Sequence, residues 1–214
     1  MKYAPSNKLL HSDIERKLRE HFERPHDFTP PAISHAPEFD KSALADTIHY
    51  RIASVLVPIY LSAGTSSIVL TLRTAHLNSH AGQISFPGGT REEHDNSAID
   101  TALRETEEEI GIKPKQVEVL GSLGGLRMPS GYHLTPIVGL LNDISQIAPC
   151  PREVAEVIHL PLEQALDLSN YRSMPFKRAG FNTRVWEIYI GEHRVWGATA
   201  TILRHLAEEL NLSL

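Results

Sequence analysis

The sequence of 214 residues predicts one α/β domain with an N-terminal extension, and three observations support this class. Short apolar runs typical of strands alternate with a few segments whose apolar residues recur at helical spacing. Several prolines separate the first helical segment from the first strand-like run. With 41% hydrophobic and 22% charged residues, the chain has enough apolar material for a sizeable core. We expect residues 1–50 to form a helix and an extended arm packed on the core, and residues 51–214 to form the domain itself.

The N-terminal part of the chain predicts a helix, an arm and two strands. Apolar residues at helical spacing predict an amphipathic helix over residues 8–23. Four prolines then indicate the extended arm: Pro25, Pro30, Pro31 and Pro37. The apolar runs Ala53–Leu61 and Ser67–Leu72 predict strands joined by a turn over residues 62–65. A polar loop over residues 75–83 then leads to a Phe-Pro-Gly-Gly segment.

The strongest helix prediction in the chain covers Ser97–Ile110, because Gly111 can close the helix and Pro114 lies beyond it. Ser97 and Asp100 have the spacing of a capping box at its start. Five further strands are predicted over residues 117–120, 135–141, 154–160, 184–190 and 193–196. The last two of these form a hairpin, and a final helix is predicted over residues 198–210.

Charge and cysteine content exclude several classes of protein. The 26 acidic residues outnumber the 21 lysines and arginines, for a net charge of −5, which argues against a general nucleic-acid-binding surface. The lone Cys150 rules out an intrachain disulfide and fits a reducing compartment. The apolar runs are shorter than the roughly 20 residues that span a bilayer. We therefore expect a cytoplasmic protein without a nucleic-acid or membrane partner, and the sequence is compatible with either a monomer or a homodimer.

The predicted helix over residues 97–110 carries three carboxylates on one side. At 100° per residue, Glu105, Glu108 and Glu109 fall within an arc of about 100°. A solvated acidic helix face is the alternative. However, like charges four residues apart cost about 0.2–0.5 kcal/mol, and acids near a helix C-terminus oppose its dipole. A divalent cation reverses both effects, so the arc predicts a Mg²⁺ or Mn²⁺ site. Arg104 can pair with Glu108 or orient Glu105.

The glycines that precede this helix fit the same chemistry. Gly88 and Gly89 would allow the backbone to approach a metal ion or a phosphate closely. A Pro-Gly-Gly segment by itself is usually only a turn. Combined with three convergent glutamates, it predicts a site for phosphate chemistry.

The two segments together resemble the Nudix box, Gly-x5-Glu-x7-Arg-Glu-Uaa-x-Glu-Glu-x-Gly-Uaa, where Uaa is a bulky aliphatic residue. The match consists of Gly88-Gly89 followed by Arg104-Glu105-x-x-Glu108-Glu109-x-Gly111-Ile112. The sequence departs from the box where Asn96 stands at the first glutamate position, with Asp95 as the nearest acidic substitute. Thr106 also replaces the usual aliphatic residue.

This resemblance implies a Nudix-like α/β/α sandwich with a mixed β-sheet and a catalytic loop-helix-loop. It also implies hydrolysis of a nucleoside diphosphate linked to another moiety. Glu105, Glu108 and Glu109 would hold Mg²⁺ or Mn²⁺, with the Gly88 carbonyl as a further ligand. The general base would be one of these glutamates or Glu153, whose alternative role is that of an ordinary surface residue before a strand.

A second resemblance concerns the preceding segment, Leu70-Thr71-x-Arg73-Thr74-x3-Asn78-x3-Gly82-x3-Phe86-Pro87-Gly88-Gly89. It is similar to the motif that precedes the box in coenzyme A pyrophosphatases, from which Val69, Thr74 and Asn78 depart. The resemblance implies coenzyme A as the substrate, with Arg73, Gly88 and Gly89 facing it. Arg73 could instead be an edge-strand arginine paired with a surface acid. Two alternative functions are hydrolysis of a nucleotide sugar, ADP-ribose or dinucleotide, and nucleotide binding without cleavage.

Overall fold

The computed structural model of the protein describes residues 11–23, 32–33, 49–62, 65–76, 81–178 and 181–212. The helices in this part of the chain are α1 (His11–Phe22), α2 (Ala98–Ile110), α3 (Leu162–Leu166) and α4 (Ala198–Leu212). The strands are β1 (Arg51–Tyr60), β2 (Ser67–Arg73), β3 (Ile84–Ser85), β4 (Gly88–Thr90), β5 (Val117–Ser122), β6 (Leu126–Arg127), β7 (Tyr132–Leu141), β8 (Val154–Pro161), β9 (Arg172–Arg178), β10 (Phe181–Ile190) and β11 (His193–Trp196).

A mixed sheet with the strand order β3-β2-β1-β7-β5 forms the centre of the fold. β1 and β7 run parallel, whereas β4, β6 and β8 add antiparallel to β1, β7 and β2 respectively. A second, antiparallel sheet has the order β11-β10-β9. The expected mixed sheet of an α/β protein is therefore confirmed.

The two faces of β1 are covered by different elements, because successive side chains of a strand point to opposite faces. Leu56 packs with Ala102 of α2 in a cluster on one face. Val57 belongs to the larger cluster on the other face, which includes residues of α1 and α4 such as Leu18 and Leu203. This arrangement is the expected α/β/α sandwich.

Helix α1 packs on the core through its apolar stripe. Ile14 and Leu18 are buried, and Arg19 donates to Glu118 of β5 at 2.6 Å. Helix α1 therefore contacts the core, whereas the division of the chain into an extension and a domain at residue 50 stays a prediction. The prolines expected to form the arm lie outside the described residues, so the arm stays a prediction.

Several short elements differ from the sequence prediction. The segment around Gly88, expected to be a loop or turn, contains β3 and β4, because β4 finds pairing partners in β1. β9 was not expected, since Pro175 and its polar neighbours are poor local signals for a strand, but seven residue pairs with β10 form it. β6 and α3 were also not expected. No helix within the described ranges has the length and apolar character needed to cross a membrane.

Candidate active site

Helix α2 has well-defined caps that fix the positions of its carboxylates. The Ser97 hydroxyl accepts a hydrogen bond from the Asp100 amide at 3.1 Å. In a full capping box, the Asp100 carboxylate would also accept a hydrogen bond from the Ser97 amide. Here Asp100 Oδ2 accepts instead from the amide of the preceding residue, Asn96, at 3.0 Å. Gly111 closes the helix in the left-handed conformation, with φ at 74°, and donates to the Glu107 carbonyl.

Asp95 anchors the loop before α2 to the helix. Its carboxylate accepts from Arg104 Nε at 3.1 Å and from Arg104 Nη2 at 3.0 Å. It also accepts from the Thr101 hydroxyl and from the Glu92 amide. These donors, Arg104 first among them, hold the pKa of the Asp95 carboxyl well below its usual range. The Nudix box assigns no role to Asp95, and no local signal in the sequence identifies these partners.

Arg104 connects this anchor to the carboxylate arc. Its Nη1 donates to Glu105 Oε1 at 3.0 Å and to Glu108 Oε2 at 3.2 Å. Both pairings considered from the sequence are therefore present at once. The guanidinium is mostly buried, with 15% of the side chain exposed, so it fixes the orientation of both carboxylates.

The Gly-Gly segment lies directly against Glu105. A Cβ atom at Gly89 would lie 2.4 Å from the Glu105 carboxyl carbon, and a Cβ atom at Gly88 would lie 2.5 Å from the Ser54 carbonyl oxygen. Gly88 also has a φ of 155°, which side chains rarely adopt. Because both positions exclude a side chain, the backbone of β4 lies directly against the carboxylate. The expected approach of this backbone to a metal ion or a phosphate stays a prediction.

Glu109 is the most buried of the three carboxylates, with 2% of its side chain exposed. Its Oε1 lies 3.3 Å from Arg73 Nη1, whereas its Oε2 is buried with no hydrogen-bond partner among the described residues. Burial raises the pKa of Glu109 to about 8, although the charge of Arg73 opposes the shift. The charges of Glu105 and Glu153 raise this pKa further.

Glu153 lies near this cluster, at the end of the turn before β8. Its charge contributes to the raised pKa values of both Glu105 and Glu109. Its carbonyl accepts from the Thr74 amide at 2.9 Å, which ties the turn to the end of β2. The structure therefore places Glu153 beside the carboxylates, and its role as the general base stays a prediction.

The segment expected to precede the box forms a hairpin that supports the site. Thr71 is fully buried and its hydroxyl donates to the Ser85 carbonyl. The Arg73 amide donates to the Gln83 carbonyl, and the Gly82 amide donates to the Arg73 carbonyl. Arg73 contacts a buried acid of the site rather than a surface acid. Asn78 lies outside the described residues.

The donor set fits a hard divalent cation. Glu105 and Glu109 supply carboxylate oxygens, and the partnerless Oε2 of Glu109 is a buried acceptor that a cation would satisfy. Glu108 lies further out, with 59% of its side chain exposed, and pairs with Arg104. Within the described ranges, no three acidic, histidine or cysteine side chains are grouped closely enough to hold an ion as they stand. Binding through all three glutamates would therefore require Glu108 to turn away from Arg104.

The fold and this site define an α/β protein in which a glycine segment and a capped helix bring carboxylates together. Comparison with known proteins identifies the family. Residues 50–181 match the model of the NUDIX domain. The "Uncharacterized Nudix hydrolase NudL" of Yersinia pestis (strain Pestoides F) is 45% identical over 162 residues, which cover 76% of this chain and 81% of that protein. The chain therefore belongs to the Nudix hydrolase family.

Solved structures agree with this fold. A Nudix hydrolase from M. smegmatis, RenU, has a TM-score of 0.52 at 17% identity, covering 79% of this chain and 97% of that one. The MutT protein from Methanosarcina mazei Go1 has a TM-score of 0.50 at 17% identity, covering 78% of this chain and 99% of that one. Nudix hydrolases act on phosphoric anhydrides of nucleoside diphosphate derivatives and generally depend on a divalent metal ion.

Proposed function

We propose that the protein hydrolyses the diphosphate bond of coenzyme A or its derivatives. The products are 4′-phosphopantetheine, or its acylated form, and adenosine 3′,5′-bisphosphate. The observation that carries this proposal is the hairpin before the box. Its residues match most of the motif of coenzyme A pyrophosphatases. It brings Arg73 to Glu109, and the strand that follows it, β4, brings Gly89 to Glu105.

The carboxylates of α2 supply the binding site for Mg²⁺ or Mn²⁺. In this proposal Glu105, Glu108 and Glu109 are the ligands. Arg104 orients Glu105 through its hydrogen bond, and Glu108 exchanges its bond to Arg104 for the cation. When bound, a divalent cation neutralises phosphate charge and lowers the pKa of a coordinated water. Glu153 is the proposed base that accepts the proton from the water that attacks phosphorus, because its neighbour Val154 pairs with Arg73, whose guanidinium contacts Glu109.

Arg73 is positioned to meet the anionic substrate at this site. Its guanidinium lies 3.3 Å from Glu109 Oε1, yet 22% of the side chain stays exposed. An arginine has several donors in a fixed planar arrangement, so Arg73 can contact a phosphate oxygen while it remains near Glu109. Gly88 and Gly89 leave room for the diphosphate to approach the backbone of β4.

The test is incubation of the full chain with coenzyme A and Mg²⁺ or Mn²⁺, followed by identification of the products. Release of adenosine 3′,5′-bisphosphate supports the proposal. Folded protein that releases none of it in either metal would overturn the assignment of coenzyme A.

A second candidate keeps the chemistry but changes the substrate. Asn78 replaces the second arginine of the motif and removes a side chain suited to bidentate phosphate contacts. This departure favours a nucleotide sugar, ADP-ribose or a dinucleotide. A panel of these compounds alongside coenzyme A decides the question, since a higher kcat/KM for a diphosphate without the 3′-phosphate and pantetheine would favour the second candidate.

A further inference from the structure

A row of four side chains crosses one end of the large sheet beside the catalytic centre. Ile52 of β1 pairs with His133 of β7, and His133 pairs with Arg127 of β6. On the other side of Ile52, the Arg91 amide donates to the Ile52 carbonyl at 3.0 Å, which continues the pairing of β4 with β1. Because directly paired residues project to the same face, these four side chains lie side by side. We refer to Arg91, Ile52, His133 and Arg127 as the cross-strand row.

The cross-strand row lies on the same face of the sheet as the catalytic carboxylates. Gly89, which abuts Glu105, pairs with Ser54 of β1. Ile52 is two residues from Ser54, so the two residues share a face and are separated by about 7 Å along the strand. A ligand bound at Glu105 can therefore extend onto the cross-strand row without crossing the sheet.

The composition of the row is unusual for a solvated sheet end. Ile52 is 43% exposed and is one of few large apolar side chains exposed to this degree in the described part of the chain. It is flanked by His133, whose ring occupies the space that a side chain at Gly125 would fill. An apolar side chain beside a ring offers a surface on which a planar base can pack.

Arginines stand at both ends of this surface. The guanidinium of Arg91 donates to the carbonyl oxygens of Asp95 and Asn96, so it is held in place by neutral groups. Arg127 is exposed and lies over the Tyr50 ring, with 5.7 Å between its guanidinium carbon and the ring centroid. The Tyr50 hydroxyl is buried and lacks a hydrogen-bond partner among the described residues. In an acidic protein, two positioned guanidinium groups around an apolar platform are the chemistry that binds a phosphorylated nucleoside.

We propose that the cross-strand row binds the nucleoside end of the substrate, with the base on Ile52 and His133 and the phosphate monoester on Arg127. The inference rests on the proposed function, because coenzyme A carries a 3′-phosphate on its adenosine in addition to the diphosphate. It assigns recognition of that second phosphate to a place distinct from the carboxylates of α2.

Calorimetric titration of the full chain with adenosine 3′,5′-bisphosphate and with AMP measures this recognition without requiring hydrolysis. The wild-type protein is expected to bind the bisphosphate at least about tenfold more tightly than AMP, as one charge-assisted hydrogen bond predicts. Arg127→Gln should reduce this ratio to near one, whereas Arg127→Lys should retain part of it. Arg91→Gln, at the other end of the row, should reduce the ratio less than Arg127→Gln does, and an unchanged ratio in Arg127→Gln would overturn the inference.

Arg51→Gln is the matched control. Arg51 lies at the same end of β1 but stacks on Tyr132 at 4.3 Å, and its side chain points to the opposite face from Ile52. The control should keep the wild-type ratio of affinities. Equal wild-type affinities for the two nucleotides, or an equal fall of the ratio in Arg51→Gln, would overturn the inference. An intact preference without hydrolysis of coenzyme A would instead overturn the proposed function alone.

Discussion

At the scale of single residues, the three glutamates of α2 occupy unequal surroundings. Glu109 is buried beside Arg73, Glu105 is pressed against Gly89, and Glu108 reaches toward solvent while bonded to Arg104. Desolvation is the main cause of the raised pKa of Glu109, because its single arginine contact does not offset burial. A bound cation would therefore stabilise the ionised form of the buried Glu109 more than that of the exposed Glu108.

Glu109→Gln is expected to lower turnover by orders of magnitude and to leave the fold intact. Glutamine keeps the shape of the side chain but removes the anionic ligand. The pKa of Glu109 is about 8 in the folded protein, whereas its ordinary value is 4.5. Glu109 therefore lowers the free energy of unfolding progressively as pH rises from about 4.5 to 8. The variant should therefore be at least as stable as the wild type at pH 8, measured by urea denaturation.

Glu107→Gln is the control for this experiment. Glu107 is an exposed glutamate of the same helix that points away from the carboxylate arc, so its loss should leave turnover nearly unchanged. Glu108→Gln should behave like Glu109→Gln in turnover. Wild-type turnover in both site variants would contradict the assignment of these carboxylates as metal ligands.

Gly89→Ala tests the close approach of β4 to the carboxylates. The added methyl group would lie 2.4 Å from the Glu105 carboxyl carbon, so the carboxylate must move. A small misplacement of a catalytic group can cost about 100-fold, and we expect kcat/KM to fall by roughly that factor. Thr90→Ala changes the neighbouring exposed position and should have little effect in the same assay. Equal activities of the two variants would show that the position of Glu105 is not critical.

At the scale of secondary-structure elements, the loop before α2 and the helix act as one unit. The Asp95 carboxylate accepts hydrogen bonds from Arg104, the Thr101 hydroxyl and the Glu92 amide. Arg104 in turn donates hydrogen bonds to Glu105 and Glu108. The residue that anchors the loop therefore never needs to touch the substrate.

Asp95→Asn is expected to destabilise the fold by about 2 kcal/mol, the contribution of hydrogen bonds to a charged group, and to lower kcat through misplacement of Arg104. The pKa of Asp95 is lower in the folded protein than its ordinary value of 3.8. The ionised carboxylate therefore stabilises the fold above about pH 4, and this stabilisation is lost as the pH falls toward the pKa of the folded state. The difference in free energy of unfolding between wild type and variant should shrink in acid, as measured by urea titration at several pH values. Glu92→Gln, at an exposed neighbouring position, provides the comparison, and a difference independent of pH would count against the ion pair.

Elements defined by local signals could be predicted from the sequence, whereas those defined by distant partners could not. The bounds of α2 follow from Ser97 and Gly111, which act within one turn of the helix ends. β4 and β9 form because β1 and β10 pair with them, and the residues Gly88 and Pro175 give no local signal of that pairing.

The site could likewise be predicted only where its signals are local. The spacing of the glutamates predicted their shared face, but the pairing of Arg73 with Glu109 depends on the hairpin that brings them together.

At the scale of the whole molecule, α1 contributes to the same core as the sheet and α4. Leu18→Ala removes a fully buried side chain, and such substitutions cost about 2–5 kcal/mol. If α1 belongs to the cooperative unit, as we propose for the N-terminal extension, the whole chain should unfold in one transition at a lower midpoint. Arg16→Ala, at an exposed position of the same helix, should change stability by less than about 0.5 kcal/mol. A separate early transition in Leu18→Ala would show that α1 folds independently.

The distribution of charge over the molecule matters more than its net value of −5. Acidic groups collect on α2, where a cation can bridge them to an anionic substrate. The cross-strand row instead places Arg91 and Arg127 on the same face, beyond Glu105. Under the two proposals above, a protein with an excess of acids would bind a polyanion at two points.

The most direct test of the central claim is product identification after incubation of the wild-type chain with coenzyme A and Mg²⁺ or Mn²⁺. We expect equal amounts of 4′-phosphopantetheine and adenosine 3′,5′-bisphosphate, with both products lost in Glu109→Gln. Folded wild-type protein that leaves coenzyme A intact while it cleaves ADP-ribose, a nucleotide sugar or a dinucleotide would contradict the assignment of coenzyme A as the substrate.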